Sequence, residues 1–226
     1  MKGLMVKDLR LLFSQKKTWL MYIMLCLMMS FSMQGAFIVG YTVMLAGVIG
    51  ISTISYDQAD NGMPFLLTLP TDRKGYVREK YLLCLLMEAC GAAVGIILCE
   101  VTSLVKNGSG VPADDIRSAV VVIPVMLILV SFMAPINLKY GAEKARLVMM
   151  IAYGIIGAIT ASAVVLMQDI MPDLGHSALV KIKVFFDETL GGTYFWTVPV
   201  VLTVLSLAVM YVSYRISVRI VSNKEY

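Results

Sequence analysis

Four stretches of this chain, residues 18–56, 118–138, 147–168 and 189–214, contain no Asp, Glu, Lys or Arg. A helix rises 1.5 Å per residue, so about 20 apolar residues cross the hydrocarbon core of a bilayer. Each run is at least that long. Of the 226 residues only 15% are charged, against about 25% in a soluble domain. The chain is therefore expected to be an all-α, multi-pass membrane protein.

The run 18–56 is too long for one span and predicts two, with a tight uncharged turn near Met33-Gln34-Gly35. The expected layout is one transmembrane domain with spans at 18–34, 36–56, 81–105, 116–137, 147–167 and 194–214. Pro124 and Pro135 predict kinks in the fourth span. Gly154, Gly157, Ala158, Ala161 and Ala163 make the fifth rich in small residues, which let helices approach closely in lipid. Tyr194, Trp196, Tyr211 and Tyr214 flank the sixth, as interfacial aromatics do.

Residues 1–17 carry five cations and place Met5, Val6, Leu9, Leu12 and Phe13 on one helical face, with Lys7, Asp8 and Arg10 elsewhere. That pattern predicts an amphipathic helix in the membrane interface rather than a cleavable signal peptide. An external segment at 168–192 contains HSALVKIKVFF, with apolar residues at near-helical spacing. A tail follows at 215–226.

Six spans put both termini on one side. All but four of the 19 Lys and Arg fall in 1–17, 57–80, 138–146 and 215–226; the exceptions are Lys106, Arg117, Lys181 and Lys183. The positive-inside bias places both termini in the cytoplasm. It also accounts for the net charge of +4 without a nucleic-acid partner.

The chain has no G-x-x-x-x-G-K-[ST], G-x-S-x-G, H-E-x-x-H or C-x-x-C. Its four cysteines all fall within expected spans, without metal-ligand spacing. The single histidine, His176, lies in the external segment. No catalytic residue and no metal site is expected. Two carboxylates enter the third span. Glu100 lies near its outer end, whereas Glu88 is seven residues in, roughly 10 Å deep. A charge at a helix centre costs about 2.5–3.5 kcal/mol on insertion scales. Glu88 should therefore face protein or water, either as a pathway or gate residue or as a structural hydrogen-bonding group.

The loop 57–80 is unusual. Between Asn61-Gly62 and the charges after Pro70 it holds an apolar stretch, Met63 to Leu69. A short greasy segment on a basic loop suits docking into the groove of a soluble partner.

The opening MKGLMVKDLRLLFSQKKTW, the stretch YDQADNGMPFLLTLPTDRKGYVREKY and the six-span layout together resemble the membrane subunit of an ABC-2-type transporter. The most telling part is Leu69-Pro70 followed by Arg73 and Tyr76. Within the family, the chain is most similar to small permeases of bacterial peptide-toxin exporters, such as the phenol-soluble modulin exporter.

The resemblance implies a type V exporter-like fold in the bacterial plasma membrane. Residues 1–17 would be an elbow helix. The segment around Asp60 to Leu69 would be a coupling helix that transmits ATP-driven motion. A separate ATPase subunit would supply the P-loop and carry ATP and Mg, with no cofactor on this chain. Asp60, Met63, Pro64, Phe65, Leu66, Leu69 and Arg73 would contact that ATPase. The docking should lean on Met63, Phe65, Leu66 and Leu69, because the loop lacks a long acidic run. A second permease copy would complete the pathway, the external segment would cap its exit, and the cargo would be an amphipathic or toxin peptide. The alternatives are a stand-alone secondary transporter, with Glu88 as its proton carrier, and a membrane immunity protein.

Overall fold

The computed structural model describes residues 2–33, 35–58, 62, 72–108, 110–111, 113–170 and 197–223. They form six helices: α1 Lys2–Ser14, α2 Lys16–Ser32, α3 Ala36–Gln58, α4 Arg73–Asn107, α5 Ala113–Ile170 and α6 Thr197–Asn223. Among the described residues, four segments are long and apolar enough to cross a membrane: Phe37–Gln58, Arg73–Lys106, Ala119–Gly141 and Val198–Asn223. The described residues thus form the helical bundle of a multi-pass membrane protein.

α3 and α4 are the centre of the bundle, and small residues are the reason. A Cβ added to Gly91 of α4 would lie 2.7 Å from Ala46 Cβ and 2.9 Å from the Thr42 carbonyl oxygen of α3. A Cβ on Gly95 would strike Thr42 Oγ1 and come within 2.9 Å of Val39 Cα. Gly91 and Gly95 are four residues apart, on one helical face, so the two backbones touch along a full turn. α3 repeats the device toward α5, where a Cβ on Gly40 would sit 2.7 Å from Val122 Cγ1 and one on Gly47 2.5 Å from Val130 Cγ2. Gly91 and Gly95 thus supply the close approach between α3 and α4. At Gly154 an added Cβ would meet nothing within 4 Å.

α5 is two helices joined at Gly141, the one residue inside it with non-helical dihedrals (φ 77°, ψ 168°). Only glycine takes that φ without steric cost. Pro124 and Pro135, expected as kinks, keep helical dihedrals, and Gly141 falls within residues 138–146, expected as a connector from their charges. α4 likewise begins at Arg73, before the expected start of the third span.

α1 lies against the bundle. Leu4, Asp8 and Leu12 are buried at i, i+4 and i+8, while Val6 and Phe13 remain exposed. The helix therefore has a protein-facing stripe, and its exposed apolar residues lie off that stripe. Asp8, expected off the apolar face, is buried on this stripe because it has a buried cationic partner, Lys80. The helix is interrupted at Gln15, whose carbonyl accepts from Thr18 N at 3.1 Å, and Trp19 Nε1 donates to Leu12 O at 2.9 Å.

Long-range contacts sort the helix termini into two ends. Lys106, at the last turn of α4, donates to Ser30 O and Phe31 O at the end of α2, at 3.1 and 2.8 Å. At the other end meet α1, the end of α3, the start of α4, the middle of α5 and the end of α6.

Candidate functional site

α3 ends and α4 begins at this second end, and these two feet of the intervening loop are held by charge. Asp57 is one residue from the end of α3, and Tyr76, Glu79 and Lys80 lie in the first turns of α4. α1 supplies Lys7 and Asp8. Lys80 Nζ contacts Asp8 Oδ2 and lies 2.5 Å from Asp57 Oδ2. Lys7 Nζ lies 2.5 Å from Asp57 Oδ1 and 3.0 Å from Asp8 Oδ1. The Tyr76 hydroxyl donates to Asp57 Oδ2 at 3.1 Å, and Lys80 Nζ sits 5.3 Å from the Tyr76 ring centroid. Glu79 is buried beside them, with Oε2 4.0 Å from Lys80 Nζ.

Three elements distant in sequence are thus joined at one ionic node. Lys80 and Asp8 are each only 1% exposed, so water does little to weaken their attraction. Lys7 is closer to the surface. Burial pulls its ammonium down, but hydrogen bonding and charge from Asp57, then Asp8, outweigh that and hold it above the ordinary lysine value.

The surrounding contacts extend the node. Gln58 Nε2 donates to Asn137 O on α5 at 3.2 Å. Arg73 Nη1 donates to Ser222 O and Val221 O, at 2.7 and 3.3 Å, where the last carbonyls of α6 lack helical partners. One turn deeper, the Tyr81 hydroxyl meets Ser213 Oγ and Ser217 Oγ at 2.6 and 2.8 Å, and Ser213 donates to Ser131 O. Both feet of the loop are tied into every neighbouring helix at that end.

Arg73 is the one anticipated loop contact that falls within the described residues. Its guanidinium donates to the last carbonyls of α6. Asp60, Met63, Pro64, Phe65, Leu66 and Leu69 lie outside the described residues. Glu88 is 4% exposed, on α4, facing the seam where α3 and α5 meet: a Cβ on Gly47 would lie 3.2 Å from its Oε1 and 2.5 Å from Val130 Cγ2. It lines neither of the two larger grooves. Glu100 is exposed, twelve residues on.

The family of ABC-2 family transporter proteins matches this chain over residues 3–222. The chain belongs to the ABC-2 transporter family. The match runs from α1 through α6, so the ionic node, the loop and the seam all lie inside the ABC-2 region. Comparison with curated proteins and with solved structures gave no match.

In this ABC-2 protein, sequence reasoning missed Lys7, Asp8, Asp57, Glu79 and Lys80 as a unit. One signal was present. Asp8 stands at i+4 from Leu4 and i−4 from Leu12, the only charge on a stripe that the helix buries.

Proposed function

We propose that the chain is the permease subunit of an ATP-driven exporter, spanning the membrane six times, paired with a second permease copy and driven by a separate ATPase that holds ATP and Mg. Membership of the ABC-2 family supports the class. The observation that carries the coupling is the ionic node. A push on the loop from Asp60 to Leu69 cannot be absorbed at feet tied to α1, α5 and α6, so it passes into α3 and α4, whose backbones move as a pair.

The node's end of the bundle also carries Lys7, Lys16, Lys17, Arg73, Lys74, Arg78, Lys139, Arg215 and Arg219, which supports a cytoplasmic loop, both termini inside and a bacterial plasma membrane. In this reading α2 and the two halves of α5 supply the spans beyond α3, α4 and α6. α2 has 17 residues, about 25 Å, and reaches the interfaces with Trp19 at one end. At the opposite end Met29, Met33, Met44 and Met126 line an apolar groove of about 300 Å³ with Phe37 and Tyr41. Methionine surfaces adapt to varied apolar shapes, which suits an amphipathic peptide cargo.

Two substitutions test the proposal. Phe65→Asp, in the permease co-expressed with its ATPase, is expected to weaken ATPase retention roughly 30-fold, since a buried aromatic anchor commonly carries about 2 kcal/mol or more. Transport should fall with it while the melting temperature holds. Unchanged retention and transport would remove the coupling role from this loop. Glu88→Gln preserves size and removes the charge. With Glu88 as a gate where α3, α4 and α5 part, the variant is expected to melt normally and transport several-fold more slowly. A folded variant with native transport makes Glu88 a structural group.

A further inference from the structure

We propose that the groove between α4 and α6 binds one anionic phospholipid from the leaflet at the node's end of the bundle. The groove encloses about 490 Å³, a size typical of small-ligand sites. Arg78, Leu82 and Leu85 line it from α4, at i, i+4 and i+7. Leu207, Tyr211 and Tyr214 line it from α6 at the same spacing. The two helices run in opposite directions, so Arg78 and Tyr214 share the mouth, while Leu85 and Leu207 share the floor, roughly 10 Å deeper. The slot therefore grades from cationic to apolar along the helix axes, as a phospholipid does from headgroup to acyl chain.

The mouth carries a second cation. Arg215 donates to the Tyr211 hydroxyl at 3.1 Å and sits 6.0 Å from that ring's centroid. Arg78, Tyr211 and Tyr214 line the groove and the Arg215 guanidinium adjoins it on Tyr211, a donor set that suits phosphate oxygens. Among the described residues no acidic side chain lines the groove; Glu79, next to Arg78, is buried in the node instead. Leu82, Leu207 and Tyr211 are 45%, 49% and 59% exposed, so the wall is open from the side, where an acyl chain would enter. A second copy of this chain fits less well. Its own basic end would bring like charge against Arg78 and Arg215.

The test uses the purified chain in detergent with equal amounts of dioleoyl phosphatidylglycerol and dioleoyl phosphatidylcholine, the retained lipid being counted by native mass spectrometry. Phosphatidylglycerol is expected to be retained preferentially. Arg78→Gln and Arg215→Gln should each lower its retention about five-fold, the effect of one cation on an anionic headgroup, and leave phosphatidylcholine unchanged. Leu82→Trp, which fills the slot between mouth and floor, should lower both. Lys139→Gln, at the same end but off the groove, should lower neither. Equal retention of the two lipids in the native chain overturns the proposal, as does an equal loss from Lys139→Gln and Arg78→Gln. Loss of dimer in the arginine variants with lipid retention intact assigns the groove to a second copy and overturns it too. The readout needs no ATPase, so it stands or fails separately from the export reading.

Discussion

Replacing Lys80 by methionine is expected to destabilise the bundle by roughly 3–5 kcal/mol, the usual cost of leaving a buried charge without its partner. That is a large share of a total stability of about 5–15 kcal/mol. The ammonium lies between Asp8 and Asp57, and its side chain is 1% exposed. Without it, the two carboxylates face each other across a dry joint with only Lys7 nearby, and Lys7 is 35% exposed. Lys7→Met should cost much less, on the order of 1 kcal/mol, because water already screens that charge. The decisive comparison is the double change Lys80→Met with Asp8→Asn. It removes one stranded charge and should recover a good part of the lost melting temperature. Adding Asp57→Asn should recover more, since a buried ionic cluster replaced by neutral groups is often tolerated. Transport should stay low even in the stabilised triple variant, because α1 no longer has an ionic grip on the loop's feet. A Lys80→Met protein that melts like the native one would show that the node contributes no net pairing.

The membrane class was legible because lipid imposes a length. A run without charge must be long enough to cross, and runs of that length are visible to simple counting. The node was not legible in the same way. Asp8 and Lys80 are 72 positions apart, and periodicity reports which face of a helix is buried, not what waits there. The stripe of Leu4, Asp8 and Leu12 could have flagged a buried acid, but naming its partner needs the fold. Lys139, Lys144 and Arg146 read as a connector, and Gly141, where the two helices of α5 join, lies among them. Pro124 and Pro135 predicted kinks within a helix, and α5 keeps helical dihedrals at both.

Gly91→Leu is the second change expected to have a large effect, and it tests the seam rather than the node. The first atom of the new side chain would already be 2.9 Å from the Thr42 carbonyl oxygen and 3.1 Å from Val43 Cα. Both are backbone atoms and cannot rotate aside, so α3 and α4 must separate. Overpacking of this kind costs about 1–3 kcal/mol for a modest intrusion, and leucine adds three more carbons along the same line. α3 also carries Asp57 and the Gly47 contact with Val130, so a shift at Gly91 propagates to the node in one direction and to the Glu88 seam in the other. The expected result is a melting temperature lowered by several degrees together with lost transport. Gly154→Leu is the matched control: an added Cβ there has nothing within 4 Å, so its melting temperature should stay near the native value. Gly91-Ala92-Ala93-Val94-Gly95 holds the approach of α3 and α4 with two glycines, four residues apart. If Gly91→Leu melts no lower than Gly154→Leu, the backbones of α3 and α4 are not in contact there, and the paired motion assigned to them has no structural basis.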